Sequence, residues 1–212
     1  MAYLANGSRP DILYAVNQLS RRQSKPTVQD YEYVKRVFRY LRGTESYGLV
    51  YRGKNDLVES FSDASHRDCI ESARSTTGFV IMTFGDLVHW ASRRQTSVSK
   101  ATCESEYKAM NETARELNYL RGVLRRLLGK TFRPSVMNCD SESAMLCTAK
   151  PGVPCLRHLT DVKDHYIMEC IRDQRVTLER VSSVDNLADI LTKPLAREQF
   201  QKLRDLLVEK RK

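Results

Sequence analysis

No apolar run in this 212-residue chain reaches the ~20 residues a membrane-spanning helix needs. The N-terminus, Met1-Ala2-Tyr3-Leu4-Ala5-Asn6-Gly7-Ser8-Arg9-Pro10, lacks the charged start and long apolar core of a secretory signal. No Cys-x-x-Cys pair occurs among the six cysteines Cys69, Cys103, Cys139, Cys147, Cys155 and Cys170. Several of them lie inside apolar runs, so buried reduced thiols are expected rather than disulfides or zinc ligands. There is no internal repeat, and no low-complexity tract beyond a charged tail. These absences point to an intracellular protein, cytoplasmic or nuclear, with no membrane partner.

What is present is positive charge. The chain carries 35 Lys and Arg against 26 Asp and Glu, a net charge of +9, and its 41% apolar residues suffice for a core. Such an excess favours acidic partners, nucleic acid foremost. The plain alternative is a soluble basic protein with no such partner.

Periodicity predicts a helix over residues 9–24, with Pro10 at its start and Ile12, Leu13, Val16 and Leu19 on one stripe. A second helix opens at Thr27, capped by Asp30, with Tyr31, Val34, Phe38 and Leu41 recurring at helical spacing. A short strand over 47–51 follows, and the polar stretch 52–56 is the best linker. This divides the chain into an N-terminal helical part, 1–52, and a second domain, 53–212. Strands are then expected over 57–63, 77–84 and 88–92, with Gly85-Asp86 as a hairpin turn. A long helix over 103–128 ends at Gly129. Next come a strand at 135–140, a short helix at 141–149, a loop at 151–154 and a helix at 159–173. A strand at 175–181 precedes a helical region over 186–210 broken at Pro194. The fold class is α/β, a mixed five-stranded sheet with helices packed on it.

Four acids stand out in this pattern. Asp63 and Asp140 come at the carboxyl ends of apolar strands, and Glu106 and Asp189 near the starts of helices. Strand ends of α/β sheets are where ligand sites form, and convergent carboxylates hold hard divalent cations. Each acid also has a structural explanation. Asp140 could cap the following helix, and Asp189 could complement the positive end of its own.

The words around the acids carry a resemblance. In order they read Phe61-Ser62-Asp63-Ala64, Arg74-Ser75-Thr76-Thr77-Gly78-Phe79 and Trp90-Ala91-Ser92-Arg93-Arg94-Gln95. Then follow Glu104-Ser105-Glu106-Tyr107-Lys108-Ala109, Cys139-Asp140-Ser141-Glu142-Ser143-Ala144 and Leu187-Ala188-Asp189-Ile190-Leu191-Thr192-Lys193-Pro194-Leu195. The series resembles the ribonuclease H region of copia-type retrotransposon Pol polyproteins. Upstream, Arg9-Pro10-Asp11-Ile12 and Arg39-Tyr40-Leu41-Arg42-Gly43-Thr44 resemble the end of the preceding reverse transcriptase.

The resemblance implies a ribonuclease H-like fold and cleavage of the RNA strand of RNA–DNA hybrids. It implies Asp63, Glu106, Asp140 and Asp189 as catalytic and metal-binding residues, holding two Mg²⁺ ions that Mn²⁺ could replace. Glu106 is preferred to Glu104 because it fills the position before Tyr-x-Ala. Arg93, Arg94, Lys100, Ser62, Ser141 and Ser143 are candidate nucleic-acid contacts, with hybrid shape and 2′-hydroxyls rather than sequence being read.

The chain departs from the family pattern at Ser65-His66, Thr102-Cys103 and His158-Leu159-Thr160-Asp161, while all four acids stand. No Tyr-x-Asp-Asp pair of a polymerase palm occurs. The chain thus reads as a truncated polyprotein end whose partner is the missing reverse transcriptase portion. The alternative is a catalytically silent relic that binds nucleic acid through its basic surface.

Overall fold

The computed structural model describes residues 1–68, 72–149, 156, 157, 159 and 162–211, the side chains of residues 162 and 163 excepted. The loop expected at 151–154 lies outside the described residues, as do Cys69, Cys155, His158, Thr160 and Asp161.

The chain opens with α1 (Ala2–Gly7), which the sequence pattern did not announce. A 3₁₀ turn at Pro10–Ile12 leads into α2 (Leu13–Ser20), so the helix expected over 9–24 is shorter and starts as 3₁₀. Proline at the first position fits, because the missing amide would have had no intrahelical partner. Helix α3 (Val28–Gly43) begins with a capping box, in which the Thr27 hydroxyl accepts from the Asp30 amide and Asp30 accepts from the Thr27 amide. Strand β1 (Tyr47–Gly48) is only two residues long.

The main sheet then forms from β2 (Val58–Ser65), β3 (Thr76–Thr83) and β4 (Asp86–Arg94). The β3–β4 turn sits at Phe84-Gly85, one residue earlier than expected, with both residues at positive φ. That twist matches flanking strands in a two-residue hairpin. Helix α4 (Thr102–Leu128) crosses back over the sheet and stops at Gly129, whose φ of 64° closes the last turn. It delivers β5 (Ser135–Cys139), α5 (Glu142–Ala149), α6 (Tyr166–Arg172) and β6 (Val176–Arg180). The sheet order is β4-β3-β2-β5-β6, with β2–β3 and β3–β4 antiparallel and β2–β5 and β5–β6 parallel. This is the mixed five-stranded α/β sheet expected.

Strand β3 is buried almost throughout because both faces of the sheet are covered. Successive side chains point to opposite faces. Phe79 and Ile81 therefore join one core with Tyr107, Met110 and Leu117 of α4, together with Ile167 and Cys170 of α6. Val80 faces a second core with Ile12, Leu13 and Val16 from the N-terminal helices, and Leu203 and Leu207 near the C-terminus.

That C-terminal region is not one broken helix. It is a 3₁₀ segment, Leu187–Leu191, followed by α7 (Arg197–Leu207) and a two-residue β7 (Glu209–Lys210). Strand β7 pairs antiparallel with β1, and the Trp90 indole donates to the Ala5 carbonyl at 3.0 Å. A buried network ties the N-terminal turn to α3. Arg9 donates to both carboxylate oxygens of Asp11 and to Thr44, and the Tyr40 hydroxyl donates to Asp11 at 2.6 Å.

Candidate active site

Three elements bring the first group of acids together. Asp63 lies toward the carboxyl end of β2, Asp140 directly after β5, and Asp189 within the 3₁₀ segment. One carboxylate oxygen from each lies within 4.8 Å of the others. On the other side, Glu106 in the second turn of α4 forms a like group with Asp140 and Cys139. Asp140 belongs to both groups, so it joins the acids into one cluster fed by four elements.

The 3₁₀ segment reaches Asp63 because of what stands opposite. Gly78 on β3 pairs with Asp63 across the sheet. A Cβ there would meet the Thr192 methyl at 2.4 Å and the Ala188 carbonyl at 3.0 Å. Only a glycine lets the segment lie this close. Asn186 fastens its start, accepting from the Ala188 amide and donating to the Ser62 carbonyl at 3.1 Å. At the other end the Thr192 hydroxyl donates to Asp63 Oδ2. Lys193 completes the contact, with Nζ 2.9 Å from Asp189 Oδ1 and 3.4 Å from Asp63 Oδ1.

The cluster is acidic and largely buried, with Asp140 only half-buried. Asp63, Glu106 and Asp189 are 1%, 5% and 2% exposed. Burial, the largest cause, pushes the Asp63 carboxyl up, against the opposing pull of Lys193 and Thr192. Glu106 is pushed well above its usual range by burial and then by the charges of Asp63 and Asp140. Asp189 is pushed up to about 7 by burial and by Asp63. Glu106 Oε2 is buried with no hydrogen-bond partner among the described residues. A buried carboxylate oxygen left unpaired beside three other acids fits the coordination of a cation. An all-carboxylate donor set suits a hard, oxygen-seeking ion such as Mg²⁺ or Mn²⁺. The Cys139 thiol, its pKa raised by burial, stays protonated and belongs to the core.

Glu104 has different business. Its oxygens accept from Lys108 Nζ at 2.7 Å and from the Lys100 amide at 2.9 Å. Of the candidate nucleic-acid contacts, Ser62 is fully buried on β2. Arg93 is half exposed and bonded to Glu112 and Glu116, each at 3.0 Å. Arg94 and Lys100 are exposed. Ser141 accepts from the Ala144 amide at the start of α5, with Ser143 beside it at 3.2 Å. The four described cysteines, Cys103, Cys139, Cys147 and Cys170, form no disulfide with one another, and Cys103 Sγ lies 3.3 Å from Cys147 Sγ.

Gly78, Asn186, Thr192 and Lys193 had no role in the sequence reading. The spacing of Lys193, four residues after Asp189, was the available signal. Gly78 could not be read that way, since its partner lies over a hundred positions away.

A mixed sheet of this order, with carboxyls from four elements meeting at the ends of its parallel strands, defines a ribonuclease H-like domain. No protein-family model matches the chain. It is 32% identical over 200 residues to the retrovirus-related Pol polyprotein from transposon TNT 1-94 of Nicotiana tabacum, covering 94% of this chain and 15% of that protein. To the Pol polyprotein from transposon RE1 of Arabidopsis thaliana it is 33% identical over 203 residues, covering 95% and 14%. The chain belongs to the copia-type retrovirus-related Pol polyproteins and spans 14–15% of the length of these relatives. Among solved structures it is similar to LC11-RNase H1, with 19% identity and a TM-score of 0.47 over 69% of this chain and 97% of that one. Among the described residues, no helix is long and apolar enough to cross a membrane.

Proposed function

We propose that the chain is a divalent-metal-dependent endonuclease that cleaves the RNA strand of RNA–DNA hybrids. In this reading residues 1–52 are the C-terminal end of a reverse transcriptase and 53–212 the nuclease domain. The polymerase portion of the polyprotein is its partner, in cytoplasm or nucleus. The observation that carries the reading is the convergence of Asp63, Glu106, Asp140 and Asp189 from four separate elements.

Asp63, Asp140 and Asp189 would hold one ion, and Glu106 with Asp140 a second. Bound there, Mg²⁺ supplies phosphate polarisation and a water of lowered pKa. The chain's own residues set the geometry. Thr192 and Lys193 orient Asp63, Asn186 anchors the segment bearing Asp189, and the Ala64 amide bonds Glu106. Arg94 and Lys100 offer exposed positive charge to the hybrid backbone.

The test is cleavage of a labelled RNA–DNA hybrid with Mg²⁺ or Mn²⁺, with Asp140→Asn run in parallel. The parent chain cleaves the RNA strand, leaves the matching DNA duplex intact, and loses activity with the substitution. Silence from both proteins, with salt-sensitive binding retained, rejects the enzyme in favour of a binding relic.

A further inference from the structure

Helices α2, α3 and α7 do not close on one another. Between them runs a groove of about 1160 Å³, floored by Ile190 and Leu195 and open to solvent. That exceeds the roughly 300–1,000 Å³ of small-molecule pockets. Lys193, which touches Asp63 and Asp189, also lines this groove, so its near end is the carboxylate cluster. The wall formed by α2 is fixed to the same edge, because Arg21 bonds Asp68 at 3.2 Å just beyond β2 and Thr76 at 2.8 Å at the start of β3.

The lining is mostly apolar, with cations and aromatic rings set along it. Arg22, Arg36, Lys193, Arg197 and Arg204 face two acids, Asp11 and Asp30. Both acids are spent, Asp11 on Arg9 and Tyr40, and Asp30 on Arg22 and Thr27. Arg36 and Arg197 are exposed and have no acidic partner among the described residues. Tyr33, 45% exposed, and the half-buried Tyr14 present further rings to the groove. Cations that track a backbone, interleaved with rings, are the chemistry that binds unpaired strands, since a ring can stack only on a base not already stacked in a duplex.

We propose that this groove binds a single-stranded nucleic-acid segment continuous with the hybrid at the carboxylate site, Arg36 and Arg197 meeting phosphates and Tyr33 a base. This rests on the reading of nucleic acid as the substrate. It gives the N-terminal helices a binding role, since they form two of the three walls.

The experiment measures affinity of the full-length chain, in metal-free buffer, for a fluorescent RNA–DNA hybrid with and without a short single-stranded tail. Cleavage of the blunt hybrid in Mg²⁺ is followed separately. The tail tightens binding to the parent chain. Arg36→Gln with Arg197→Gln removes that gain and lowers the slope of log affinity against log salt by about 1.4, the share of two single-strand phosphates. Tyr33→Ala weakens tailed binding about tenfold, and Tyr33→Phe restores it, because stacking needs the ring and not the hydroxyl. All three variants melt with the parent chain, since these side chains are exposed. A tail that adds nothing, or a gain that survives the double substitution, overturns the groove whatever the cleavage result. Self-association through the groove that the double substitution abolishes overturns it in favour of a protein occupant. Tail binding lost in the variants, with no cleavage by any protein, upholds the groove and rejects the nuclease reading alone.

Discussion

Lys193 turns back on Asp189, four residues earlier, and places its ammonium 2.9 Å from one buried carboxylate and 3.4 Å from that of Asp63. It is the cation the cluster holds from within its own chain. The fit follows from the turn that ends the 3₁₀ segment, in which the Lys193 amide donates to the Asp189 carbonyl at 3.2 Å and brings the lysine back over the acid.

Replacing Lys193 with methionine leaves three buried acids without this counter-charge. Breaking a buried pair costs about 3–5 kcal/mol, and because the lysine is 34% exposed a loss of roughly 1–3 kcal/mol is expected in metal-free protein. Mn²⁺ or Mg²⁺ then restores more stability to Lys193→Met than to the parent chain, because no ammonium competes for the same oxygens. Thermal melts of both proteins with chelator and with each ion check this. Equal ion-induced shifts would remove Lys193 from the account of the site.

Metal-free protein should lose stability as pH rises through the neutral range. Asp63, Glu106 and Asp189 have raised pKa values, Asp189 about 7, chiefly through burial. The unfolded chain gives up the same protons near pH 4. From about pH 4 to above pH 7 the folded state therefore binds more protons than the unfolded state, and stability falls with rising pH. His66, whose pKa is lowered by burial, acts in the opposite direction, so the comparison is made against Asp189→Asn. The midpoint of chelated parent protein drops between about pH 5 and pH 8, and the variant's slope is shallower. Parallel slopes would mean that the Asp189 carboxyl is already ionised at the low end.

Gly78→Ala places a methyl where the Thr192 methyl already stands, 2.4 Å from its carbon, with the Ala188 carbonyl at 3.0 Å behind it. Backbone on that side cannot yield cheaply. The 3₁₀ segment must move off β3 and take Asp189 and Thr192 away from Asp63. Overpacking of this kind costs roughly 1–3 kcal/mol. Hybrid cleavage falls further than stability does, because a small displacement of positioned groups costs about a hundredfold. Activity measured well below the melting temperature separates the two effects. Full activity in a destabilised variant would show that the approach at Gly78 serves packing only.

Much of this was legible before the fold was known. The carboxyl ends of two apolar strands marked Asp63 and Asp140, and the turn and cap residues marked the sheet and the long helix. The rotation of α3 was not legible. Tyr31, Val34, Phe38 and Leu41 have helical spacing, yet Tyr31 and Phe38 are 64% and 56% exposed, while Val37 is buried and Tyr40 bonds Asp11. Apolar residues surround this helix, so periodicity alone cannot choose its buried face. The partner that chooses it is Asp11, 29 residues earlier. The C-terminal region failed for a similar reason. Its 3₁₀ form depends on Gly78 and on Asn186 reaching the Ser62 carbonyl, contacts that no local pattern contains.

The same Asp11 supports the last expectation. Arg9 and Asp11 are each 4% exposed, and they join the N-terminal turn to Tyr40 and to Thr44 at the end of α3. Burial opposes the Arg9 charge most strongly, and Asp11 and Tyr40 more than offset it, so the guanidinium stays ionised. Arg9→Met strands the Asp11 carboxylate in a dry site, at a cost of about 3–5 kcal/mol. The double variant Arg9→Met with Asp11→Leu removes both charges and recovers part of that loss, since a buried pair and an apolar replacement often come out nearly even. Denaturant unfolding of Arg9→Met, Asp11→Leu and the double variant tests the coupling. Additive losses would mean that the pair does not act as a unit.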